Sequence, residues 1–219
     1  MEDELQRAGL YPTAGQSIVD VERFVEAHLG AELDQYAPLE PTVLGCTEFR
    51  PGEPPRIKIN RDLTGSAMDA DSSPPGLQGR WRATVGHEGV HVVLHRDLFE
   101  PSADQAVLFG EDAAGSGGGV VRCLKRDVRF DQEPRDWREV QANYAMAALL
   151  MPRQVFGEVA RKEASSVRPE PLPFGAGTDA AVVLARRVAW RFMVSRQAAS
   201  IRLETLGLVQ AADRTVLPL

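Results

Sequence analysis

Apolar side chains recur at Ile18, Val21, Val25 and Leu29, the spacing of three to four residues that gathers them on one face of a helix. Ser17 stands before this run as a cap, with Asp20 three positions later and Gly30 as a stop, so the pattern predicts a helix over 17–29. Short strand-like pieces follow over 32–36, 42–50 and 56–59, separated by prolines. Residues 62–79, with Ser72-Ser73-Pro74-Pro75 in their midst, read as a loop. A half-buried helix is expected over 78–95, where Trp81, Val85, Val92, Val93 and Leu94 supply the apolar positions. The tract Gly115-Ser116-Gly117-Gly118-Gly119 lacks the Lys-Ser or Lys-Thr of a phosphate cradle and reads as a second loop. A run of helix formers from Arg138 is stopped by Pro152 and predicts a second core helix. Beyond it come a helix to about 163, a proline-rich connector over 168–173 and two more helices. The class is α+β, with a small sheet packed on the first core helix and a helical C-terminal part. The division expected is 1–163 and 164–219.

Composition narrows the setting. The chain has 219 residues, 43% hydrophobic and 26% charged, which is ordinary for a globular protein with a substantial core. No apolar run approaches a membrane span, and the N-terminal Met1-Glu2-Asp3-Glu4 lacks the basic and apolar regions of a signal peptide. A cytoplasmic protein without membrane contact is expected. Its two cysteines, Cys46 and Cys123, suit a reducing compartment and form no ligand pattern together.

The chemistry begins at His87-Glu88-Gly89-Val90-His91. On a helix each residue turns about 100°, so the two histidines lie one turn apart on one face and can close on a single metal ion. Glu88 falls beside that face, placed to take a proton from water rather than to bind the metal. A solvated helix that happens to carry these residues is the alternative. Gly86 and Gly89 each cost such a helix about 1 kcal/mol relative to alanine, and close approach of a backbone or a substrate is the usual reason to keep them. His95 lies about 12 Å along the axis from His87, too far to share a metal with it, and reads as structural. Further along, Glu139 and Asn143 are four apart and share a face. That suits a carboxylate on a metal and an amide orienting a ligand histidine, but it equally suits an ordinary packing helix.

The segment from Arg82 to His95, followed by Glu139-Val140-Gln141-Ala142-Asn143-Tyr144-Ala145 and Leu149-Leu150-Met151-Pro152, resembles the ImmA/IrrE family of zinc metallopeptidases. Arg56-Ile57-Lys58-Ile59-Asn60 is similar to the strand that precedes the family's active-site helix, so the resemblance covers about residues 15–160. It implies a zincin-like fold and a Zn2+ cofactor. It makes His87, His91 and Glu139 the metal ligands, Glu88 the catalytic base, and Asn143 a residue beside the site. It also implies a protein substrate, a helix-turn-helix transcriptional repressor cleaved to release stress-response or mobile-element genes. One departure is visible: the family commonly has glycine immediately before the second histidine, where this chain has Val90.

Residues 178–192, Met193-Val194-Ser195 and 196–206 have the rhythm of a helix-turn-helix, with Ser195 as a cap. Arg196, Gln197, Ser200 and Arg202 could then face a DNA groove. From Arg153 to Leu219 ten Lys/Arg stand against six Asp/Glu, in a chain whose total is −6. DNA-binding domains are usually more basic. Packing or protein docking is therefore the competing use of these helices. A DNA-binding regulator or a toxin-antitoxin component with little or no proteolysis is the rival function.

Overall fold

The computed structural model describes residues 1–50, 52–69, 76–99, 119–124, 137–168 and 171–210. After a short helix α1 (Glu2–Arg7), the first amphipathic run folds as α2 (Val21–Arg23), continued by a π-helical turn over Phe24–His28. Its cap is Asp20, whose carboxylate accepts from the Arg23 amide, and not Ser17. Ser17 instead donates its hydroxyl to the Arg191 carbonyl at the far end of the chain. Gly30 ends the turn at a φ of 63°, a left-handed value that glycine adopts without cost.

Strands β1 (Glu32–Ala37), β2 (Val43–Phe49) and β3 (Arg56–Asn60) fall where the alternation and prolines place them. A fourth, β4 (Gly119–Leu124), was not expected; the glycine tract ends in it, and residues 115–118 lie outside the described residues. The sheet order is β1-β3-β2-β4, with β1 parallel to β3 and β2 antiparallel to both its neighbours. With strands on either side, β2 is buried along nearly its whole length.

The segment expected as a loop from residue 62 is partly helical: α3 runs over Arg61–Met68. Asn60 caps it, accepting from the Asp62 amide at 2.9 Å, and Leu63, Thr64 and Ala67 face inward. An asparagine cap and one buried stripe outweigh the single internal glycine, Gly65. The Ser72-Ser73-Pro74-Pro75 stretch lies outside the described residues.

Helix α4 (Gly76–Phe99) crosses the middle of the molecule. It packs on β2, on α3 and on α5 (Trp137–Leu150). Because it has neighbours on several sides, Arg82 and every residue from Thr84 to Val92 are buried. This explains why its apolar positions form no single stripe. Gly86 lets α5 approach: a Cβ there would meet Leu149 at 3.4 Å and Met146 at 3.6 Å. A Cβ on Gly89 would meet Val25 at 3.0 Å, so this glycine faces the π-helical turn in the core.

Helices α6 (Arg153–Ser165), α7 (Asp179–Phe192) and α8 (Arg196–Thr205) complete the chain, with two-residue strands β5 (Phe174–Gly175) and β6 (Val209–Gln210) paired in parallel. Thr178 and Ser195 cap α7 and α8, and Met193 turns the chain between them in the left-handed conformation. The helix-turn-helix shape is present, but Arg202 is buried and donates to the Met151 carbonyl, so it cannot face a DNA groove. A Cβ on Gly79 would meet the backbone of Val194 and Ser195 at 3.1–3.2 Å, which seats the turn against the start of α4. The buried apolar residues form one cluster from Leu5 to Val209.

Asn60 ties this arrangement together beneath α4. Besides capping α3, its amide donates to the carbonyls of Val43 at 2.9 Å and Glu40 at 3.1 Å while 3% exposed. Asn60→Ala removes the cap and strands the buried Val43 carbonyl, and should cost roughly 2 kcal/mol or more. Urea unfolding measures it, and a loss below about 0.5 kcal/mol would contradict this role.

Candidate metal centre

Helix geometry aims His87 and His91 from α4 toward α5, and the first turn of α5 supplies Glu139. The Nε2 atoms of the two histidines lie 3.0 Å apart. Glu139 Oε2 is 3.0 Å from His87 Nε2, and Oε1 is 3.4 Å from His91 Nε2. The three donor atoms all fall within 4.8 Å of one another. Both histidines are fully buried and Glu139 is nearly so. The surrounding glycines and aliphatic side chains thus leave these polar groups to face one another.

Their protonation follows from that crowding. Burial opposes a charge on His87, but the Glu139 hydrogen bond and the nearby Glu88 and Glu139 carboxylates outweigh it, with Asn143 adding in the same direction, and its pKa is raised. Burial dominates at His91, which falls to about 4. At Glu139 burial also raises the pKa, but its contacts with both imidazoles more than offset it and hold the carboxyl well below its usual range. The surroundings thus push the two imidazoles in opposite directions, His87 toward keeping a proton and His91 toward the neutral form. Two imidazole nitrogens and a carboxylate converging on one point form a donor set that suits zinc, so the residues fit such an ion.

Glu88 is buried on the sheet side of α4. Thr47 of β2 donates its hydroxyl to Glu88 Oε2 at 2.6 Å. Two positions earlier on the same strand, a Cβ on Gly45 would meet Thr84 Cγ2 at 2.9 Å and Glu88 Oε1 at 3.0 Å. Neither residue was singled out from sequence. The signal was there in Gly45, a glycine inside a strand, which marks close approach of another element. Thr47 had no such mark.

His95, read as structural, is 2% exposed and sits behind the centre. Its Nδ1 is 2.9 Å from His91 Nδ1, and its Nε2 is 3.4 Å from Gln141 Oε1 on α5. Tyr144, on α5 next to Asn143, is 66% exposed.

With this geometry in view, comparison with known families is direct. Residues 121–204 match the Peptidase_M78 family model, described as the IrrE N-terminal-like domain. Over this stretch the chain is similar to the ImmA/IrrE family. This is a family of metallopeptidases, and its match takes in Glu139 and Asn143. It begins after α4, so the His-Glu-x-x-His helix lies outside it, and it ends within α8, beyond the span over which the motifs show the resemblance. No curated protein matches the chain. Among the described residues no helix is long and apolar enough to cross a membrane.

The raised pKa of His87 sets metal uptake in competition with a proton. His87 favours its proton more than an ordinary imidazole does, so zinc uptake should release protons, more of them as the pH is lowered. Calorimetric titration in two buffers of different ionisation enthalpy reads this number directly. Zinc uptake without proton release would contradict the protonation assigned to His87.

Proposed function

We propose that the chain is a zinc-dependent endopeptidase, with His87, His91 and Glu139 holding the ion and Glu88 acting as the base. The observation that carries this reading is the convergence of those three donors within 4.8 Å, from two helices, beside a buried glutamate. When bound, zinc supplies a Lewis acid that brings the pKa of a water near 7 and polarises the scissile carbonyl.

The chain's own residues do the rest. Glu88 takes the proton from the attacking water and passes it to the leaving amine. Thr47 holds one carboxylate oxygen of Glu88. Asn143, beside His87 on the same face of α5 as Glu139, steadies the ligand ring. In architecture the reading is zincin-like, with the sheet lying against the helix that carries the two histidines.

The substrate follows the family resemblance: a helix-turn-helix repressor, cut in the cytoplasm to release stress-response or mobile-element genes. Burial of Arg202 and the seating of the α7–α8 turn against Gly79 favour packing over DNA contact for the C-terminal pair.

Metal content of the purified protein beside two variants separates the roles. Wild type should carry one zinc, and Glu139→Ala should lose it; equal tight zinc in both would refute Glu139 as a ligand. Glu88→Gln should keep its zinc and lose cleavage by about 100-fold or more on any protein that the wild type cuts. Retained cleavage would refute the role of Glu88.

A further inference from the structure

The chain His91–His95–Gln141 joins the two helices of the centre through nitrogen and oxygen atoms whose placement, with the Gln141 oxygen facing His95, sets the direction of the protons between them. His91 Nδ1 faces His95 Nδ1 at 2.9 Å, and His95 Nε2 faces Gln141 Oε1 at 3.4 Å. A neutral imidazole carries one N–H and one lone pair, whereas the amide oxygen only accepts. Gln141 Oε1 therefore requires the proton of His95 on Nε2. The lone pair of His95 is then on Nδ1, so the short contact to His91 is a hydrogen bond only if His91 Nδ1 donates. That leaves the lone pair of His91 on Nε2, the atom that points at His87 and Glu139. In the reverse arrangement two lone pairs would oppose each other at Gln141, and His91 would present an N–H to the centre.

We propose that His95 and Gln141 are positioning residues that fix the tautomer of His91, holding its Nε2 lone pair toward the metal position. The inference rests on the reading of His91 as a zinc ligand, and it assigns to His95 a task beyond packing. It also explains the spacing by four of His87, His91 and His95. His95 is too far along the helix to touch the ion shared by the first two, yet one turn from His91 it meets the rear of that ring, with centroids 5.0 Å apart. Gln141, on α5 two residues after Glu139, brings the helix that provides the carboxylate to the same relay. Support of a ligand histidine through its second nitrogen is a common way of setting ring orientation and basicity.

The test uses Gln141, whose exposed position tolerates substitution. Gln141→Glu keeps an acceptor before His95 Nε2, whereas Gln141→Lys places a donor there and should drive both rings to the opposite tautomer. Long-range proton–nitrogen correlation spectra of the metal-free full chain at pH 8 read the ring nitrogens, and four histidines make their assignment tractable. Wild type and the Glu variant should show His91 protonated at Nδ1 and bare at Nε2; the Lys variant should show the proton on Nε2. Zinc affinity, by competition with a chelator, should fall roughly 10–100-fold in the Lys variant and hold in the Glu variant. His91 protonated at Nε2 in the wild type, His95 carrying both protons, or one tautomer shared by all three proteins would overturn the proposal. Failure of the wild type to bind zinc would instead overturn the metal reading, because the spectra decide the direction of the relay without any metal.

Discussion

Two imidazole nitrogens held 3.0 Å apart, with a carboxylate against both, form an arrangement that must be imposed by the fold. Buried polar groups of this kind are costly unless their partners are complete. Here α4 and α5 hold the partners in place through close packing. Gly86 admits Leu149 and Met146 of α5, Gly89 admits Val25 of the π-helical turn, and Gly79 admits the turn between α7 and α8. Each glycine admits a different neighbour along the same helix. The cost to helix propensity is offset by bringing other elements close to the histidines.

The sheet completes the enclosure from the remaining side. Gly45 and Thr47, alternate residues of β2, face α4 with one absent side chain and one hydroxyl. Glu88 occupies the space left by the first and takes the hydrogen bond of the second. The two polar clusters of α4 thus have separate neighbours: Glu88 belongs with the sheet, and His87 and His91 belong with α5. This separation on one helix suits the different roles proposed for Glu88 and for the other three groups.

Much of this was legible in the chain because local spacing encodes it. The His-Glu-x-x-His interval and the Glu139–Asn143 interval each follow from helical geometry, and proline and glycine punctuation set the bounds of β1, β2, β3 and α5. What escaped were features made by contacts distant in sequence. Thr47 lies 41 residues from Glu88 and looks like any strand threonine. Ser17 resembles a cap but is drawn to the Arg191 carbonyl 174 residues away, leaving capping to Asp20. Helix α3 was hidden by the turn formers that follow it. Arg202 resembles a groove-facing arginine until the Met151 carbonyl is seen to hold it. Distance along the helix set His95 apart from His87, but the same reasoning could not show that its ring meets His91 from behind.

The central claim is that α4 and α5 jointly hold one metal through two imidazoles and one carboxylate. X-ray absorption at the zinc edge of the loaded protein tests it most directly, since multiple scattering identifies imidazole rings and distance separates oxygen or nitrogen from sulfur. The account predicts a shell of nitrogen and oxygen donors near 2.0–2.2 Å, with the outer-ring signature of two imidazoles. A sulfur donor near 2.3 Å, or the absence of imidazole scattering, would contradict it.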